Sequence, residues 1–133
     1  MCAYHNAIHY QRTIACTLEI IKAFDKTHNA SFLKAAIDIF NWLLENDSNS
    51  RDLCIMNLYQ CYIRERKLSL SEKANLYNML DKYKGNASML AGLLILLGEN
   101  EEALSYIEML SESEKEEFIN YPIYRLLDTE TDK

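Results

Sequence analysis

Apolar residues recur every three or four positions from the start of the chain. Over residues 6–26, Tyr10, Ile14, Leu18, Ile21 and Phe24 fall on one stripe, widened by Ile20 and Ala23. That period matches the 3.6 residues of a helical turn and predicts an amphipathic helix. His28-Asn29-Ala30-Ser31 then supplies capping residues, and a second helix is expected to about residue 45. Its main face is Leu33, Ala36, Ile37, Phe40, Leu43 and Leu44. Ala35, Ile39 and Trp42 make the other side apolar too, which predicts neighbours on both sides.

The polar run Asn46-Asp47-Ser48-Asn49-Ser50 reads as a loop, because these side chains turn or cap the backbone. Between Leu53 and Ile63 only Asn57 and Gln60 are polar, so the third helix is expected to be enclosed nearly all round. Ser69-Leu70-Ser71-Glu72 has the spacing of a capping box and opens a fourth helix, with Leu76, Tyr77, Leu80 and Tyr83 on its buried face. Gly85 ends it. The fifth helix, residues 86–97, is almost wholly apolar and is expected to be the most buried. Gly98 turns the chain into a sixth, with Ala103, Leu104, Ile107 and Leu110 inward. Ser111-Glu112-Ser113-Glu114 opens a seventh, which Pro122 stops or kinks. Residues 123–127 form a last short turn before a polar tail, 128–133.

Seven helices joined by short loops predict an all-α fold of antiparallel hairpins. One pattern repeats within it. Gly98 is followed five residues later by Ala103, and the same small-residue offset recurs in Ser31 with Ala36 and in Ser69 with Ala74. Around the alanines the chain reads Lys34-Ala35-Ala36-Ile37-Asp38-Ile39-Phe40, Glu72-Lys73-Ala74-Asn75-Leu76-Tyr77, and Glu101-Glu102-Ala103-Leu104-Ser105-Tyr106-Ile107. A small residue there lets two helices approach closely. The alanines are 38 and 29 residues apart.

This pattern resembles the tetratricopeptide (TPR) family, whose repeats are helix-turn-helix units of about 34 residues. The third unit carries the resemblance best, with Ala91 or Gly92 in its first helix, Gly98 at the turn, and Ala103 and Ile107 in its second helix. The resemblance implies a TPR-like right-handed superhelix over a single domain, residues 1–127. It also implies a protein- or peptide-binding groove lined by the first helix of each hairpin. An irregular bundle with ordinary alanine packing is the alternative.

Composition narrows the function. The 133 residues contain only three glycines and one proline, few for a β protein. The net charge of −6 is uneven: residues 98–133 carry eleven acidic and three basic side chains, a balance of −8, leaving +2 on the remainder. That acidity argues against nucleic acid, whose binding rests on clustered Lys and Arg. The longest uncharged apolar run, residues 89–97, is about half of what a membrane span needs. Sequons occur at Asn29, Asn46 and Asn86, but no basic segment followed by an apolar run marks a leader. The expectation is a cytoplasmic protein. Cys54 and Cys61, seven apart on one helix, are about 10 Å apart along its axis and too distant to bridge. With Cys2 and Cys16 they read as reduced thiols.

Catalytic chemistry finds little footing. His5 and His9, four apart with Cys2 nearby, could meet a metal, but Asn6 stands where a zinc protease motif needs glutamate. No metal or cofactor is therefore expected. Gly85, Gly92 and Gly98 form no phosphate loop. Cys54 and Cys61 have no histidine on their helix to activate them. The carboxylates between Glu99 and Glu117 look solvated rather than paired in a pocket.

The expected role is a non-catalytic protein- or peptide-binding module. The predicted groove comprises Tyr59, Tyr62, Arg66, Ser88, Gly92 and Ile95, drawn from a chain in which tyrosine also recurs at positions 77, 83, 106, 121 and 124. Two alternatives remain. One is a ligand-sensing regulatory domain or fragment of a larger protein. The other is a small helical inhibitor or immunity-type protein, using the acidic surface of Glu99, Glu101, Glu102, Glu112 and Glu116 against a basic target.

Overall fold

A computed structural model describes residues 3–131, with side chains described over 8–127 except Ser48. Among the described residues there are eight α-helices and no strand. The chain forms two compact units, one ending at Cys61 and one beginning at Tyr62.

The first unit is built on α1 (Ala3–Thr27) and α2 (Ala30–Asn46), which pack closely as a hairpin. Ile14, Thr17 and Ile21 are buried on α1, against Leu33, Ala36, Phe40 and Leu43 buried on α2. Thr17 tolerates burial because its hydroxyl donates to the Thr13 carbonyl at 2.6 Å. The turn is sharp because His28 adopts a left-handed φ of 58°, while its amide donates to the Phe24 carbonyl at 2.7 Å. Asn29 then caps α2, its side chain accepting from the Ser31 amide at 3.0 Å. The second apolar side of α2 is less covered than its composition suggests. Trp42 is 46% exposed, meeting the Tyr10 ring edge-on at 5.9 Å.

A 3₁₀ turn, Ser48–Ser50, leads into α3 (Arg51–Ile63), which continues past the end of the first unit. Asn57 and Gln60 are both buried, and the Gln60 amide donates to Asn57 Oδ1 at 2.8 Å. Pairing of this kind is what allows a helix to be enclosed on nearly every side.

The second unit is organised around α5 (Ala87–Leu97), against which α4 (Leu70–Lys82), α6 (Asn100–Glu108) and α8 (Tyr124–Thr131) all pack. Seven successive residues, Leu90 to Leu96, are buried, as the wholly apolar sequence predicts. Gly98 ends α5 at φ 80°, where the amides of Gly98 and Glu99 donate back to the carbonyls of Ile95 and Leu94. That left-handed cap closes the α5–α6 hairpin and puts Ala103 at full burial. Leu104, expected inward, is 38% exposed instead. The stripe that faces α5 is narrower than the run of apolar residues.

Both capping boxes form. Ser69 pairs with Glu72 at the start of α4, and Ser111 with Glu114 at the start of α7 (Glu112–Ile119). Pro122 does stop α7, and its carbonyl accepts from Arg64 Nη2 at 3.1 Å. Beyond Pro122 the chain forms an eighth helix rather than a short turn. That helix includes residues 128–131, whose polarity suggests a tail, because Ile123 and Leu127 are buried and anchor its first turns.

Of the three alanines in the repeated pattern, Ala36 and Ala103 are fully buried, whereas Ala74 is exposed. In α4 the packing is carried by Leu76 and Met79, and Tyr77 points outward at 53% exposure.

Candidate binding groove

The second unit contains an open groove of about 370 Å³. Three helices build it. Leu80 and Asp81 line one wall from α4, with Lys84 and Gly85 just beyond its end. The floor is Ala87, Leu90 and Leu94 of α5, and the other wall is Glu102 and Tyr106 of α6 with Met109 just beyond its end. On α5 and α6 these positions are three or four apart, so each helix contributes a single stripe.

The floor is apolar, with Leu90 and Leu94 buried, and carries no side-chain donor or acceptor. Polar groups stand on the walls and rim, at Asp81, Lys84, Glu102 and Tyr106. Lys84 meets Asp81 at 3.3 Å with both side chains in solvent, a pair worth little to stability. Met109 forms the lip and is 71% exposed. A flexible, polarisable side chain left open beside an apolar floor suits contact with another apolar surface. Nothing in the groove resembles a catalytic pair, since its carboxylates, Asp81 and Glu102, are exposed on opposite walls.

The residues expected to form a groove lie elsewhere. Tyr59 is buried in the first unit, and Gly92 and Ile95 are buried in the second. Ser88 is half-buried. Tyr62 and Arg66 do meet, the guanidinium lying 4.4 Å from the ring centroid, but Arg66 is committed to Glu72 through two bonds of 2.9 and 3.0 Å. This is a staple on the α4 cap. At 100° per residue, the Ser88, Gly92 and Ile95 stripe lies about a third of a turn round α5 from Ala87, Leu90 and Leu94. The expected and observed grooves share this helix but not its face. The expected face packs inward and the groove opens on the other.

All five residues of the expected acidic surface, Glu99, Glu101, Glu102, Glu112 and Glu116, are exposed. Glu102 lies in the groove wall, and Glu99 immediately precedes α6. Sequence reasoning missed Leu80, Asp81, Lys84 and Met109. The available signal was the second stripe on α6, where Met109 stands off the inward positions Ala103 and Ile107.

Other chemistry is sparse. Cys54 is buried, and burial followed by the charge of Asp47 pushes its thiol up to about 11, so it is a poor nucleophile. Asp47 is only 4% exposed, and its Oδ2 has no hydrogen-bond partner among the described residues. Among the described residues no group of three or more His, Cys, Asp or Glu is arranged to hold a metal ion. The side chains of Cys2 and His5 lie outside the described residues; His9 is exposed beside Tyr10. Among the described residues no helix is long and apolar enough to cross a membrane.

No family model matches this chain, and no curated protein or solved structure matches it either.

Proposed function

We propose that this chain is a non-catalytic module that binds a protein or peptide through the α4–α5–α6 groove. The observation that carries this reading is a groove of about 370 Å³ lined mainly by apolar side chains, with Leu90 and Leu94 at its base and Met109 exposed at its edge. Clefts of this size lined mainly by apolar side chains with a few polar groups are where ligands bind. A TPR-like stack of hairpins is the architecture we propose for it. Two hairpins support that architecture, α1 with α2 and α5 with α6, each with a fully buried alanine in its second helix. The exposed Ala74 lends it nothing, so the groove rather than the repeat is the basis of the functional reading.

Selection of a random peptide library on the full chain tests this directly. Peptides recovered should bind Met109→Lys and Leu80→Gln about tenfold more weakly than the native chain, in the manner of an interface centre. They should bind Trp42→Ser, altered in the other unit, with unchanged affinity. Recovery of no binder, or binders indifferent to both groove variants, would show that the groove is not the binding surface.

A further inference from the structure

The groove's chemistry restricts what can fill it. Its floor offers Ala87, Leu90 and Leu94 and no hydrogen-bonding side chain. Among the described residues there is no strand, so a bound segment finds no sheet edge to join. An extended peptide laid on this floor would turn amides and carbonyls toward Ala87, Leu90 and Leu94, and could pair the rest only with water or with the few polar side chains of the walls, Asp81, Lys84, Glu102 and Tyr106. A helix satisfies its backbone internally and presents only side chains. It can place an apolar stripe against the floor and the Met109 lip while its flanks reach the rim.

The rim sets the charge of those flanks. Asp81 and Glu102, on opposite walls, outnumber the one cation Lys84, and Glu99 stands exposed at the start of α6. Among the described residues, neither Glu99 nor Glu102 shows an ion pair with a Lys or Arg. Part of this negative charge complements the α6 dipole, and the side chains remain exposed to a partner. A positive flank would be attracted and a negative one repelled. We infer that the occupant of the groove is a basic amphipathic helix of a partner protein. This rests on reading the groove as a binding surface, and adds the fold and charge of what it holds.

Two synthetic peptides of about 15 residues, both with leucines at helical spacing, separate the possibilities. One carries lysines on its polar face and the other glutamates. At physiological ionic strength the native chain should bind the leucine–lysine peptide and reject the leucine–glutamate one. Met109→Lys and Glu102→Lys should each weaken the lysine peptide about tenfold, and Glu102→Lys should improve the glutamate peptide. Met109 and Glu102 are exposed, and circular dichroism verifies that both variants remain folded. Lysine-peptide binding that survives both substitutions overturns the assignment, as does equal binding of the two peptides. Proline placed mid-peptide should abolish binding; retention of affinity would mean the segment is not helical. If library peptides engage the groove but prove acidic or extended, this inference fails while the binding-module reading survives. If none engages it, both fail. Sedimentation of the chain alone should give a monomer, and a dimer dissolved by Met109→Lys would assign the groove to a second copy instead.

Discussion

Arg66 grips Glu72 with both terminal nitrogens, at 2.9 and 3.0 Å, while the same carboxylate accepts from the Ser69 amide at 2.7 Å. One side chain therefore closes the cap of α4 and anchors the loop that enters it. The bond from Arg66 first, and the Ser69 amide after burial has pushed the other way, hold the Glu72 carboxyl down at about 2. Because the folded-state value lies below the ordinary 4.5, this contribution is present above pH 4.5 and is lost as pH falls toward 2. Glu72→Gln keeps an oxygen for the Ser69 amide and removes only the charge, so it should cost less than about 1 kcal/mol at neutral pH, because a partly exposed ion pair adds little. Urea unfolding should show that difference vanishing near pH 2. A constant difference across this range would mean the carboxylate charge is not what matters.

Gly98 sits at φ 80°, with nothing within 4 Å of where a β-carbon would stand. The cost of Gly98→Ala is therefore purely that of the backbone, about 1 kcal/mol. Denaturant midpoints would reveal it, and a neutral result would mean that the α5–α6 turn relaxes freely.

Ala36 and Ala103 are fully buried and Ala74 is exposed. Ala36→Leu and Ala103→Leu should each destabilise by about 1–3 kcal/mol through overpacking, and Ala74→Leu by no more than about 0.5 kcal/mol. Equal penalties at all three positions would restore the threefold repeat.

The contrast among these alanines shows what the sequence makes legible. Helix number and ends follow from local signals, such as the capping boxes at Ser69 and Ser111 and the glycine at 98, which act within a few residues. Burial depends on which neighbour covers each face, and local spacing does not encode that. Ala74 and Ala103 have similar surroundings in sequence, yet Ala103 meets α5 and Ala74 meets solvent. The same limit governs the site. An all-apolar helix such as α5 has no polar face to show which side stays open, so the groove emerges only from how α4 and α6 stand on either side of Leu90 and Leu94. Residues 128–131 misled for a related reason: their composition is polar, but the buried Leu127 anchors the helix they continue.

Thiol accessibility tests the first unit. Cys16 is exposed, while Cys54 is buried and held near 11. A thiol reagent at about pH 8, with residue-resolved mass spectrometry, should modify Cys16 quickly and Cys54 only on unfolding. Asp47→Asn removes a charge that raises the Cys54 thiol, and should lower its value without exposing it. Rapid native labelling of Cys54 would contradict its burial.

Methyl-resolved chemical-shift mapping of the chain titrated with the leucine–lysine peptide tests the central claim most directly. Shifts should concentrate at Leu80, Leu90, Leu94 and Met109, the walls, floor and lip of the groove. Perturbations centred on Ile95 and the neighbouring Ser88–Gly92 face, with those four residues silent, would contradict it.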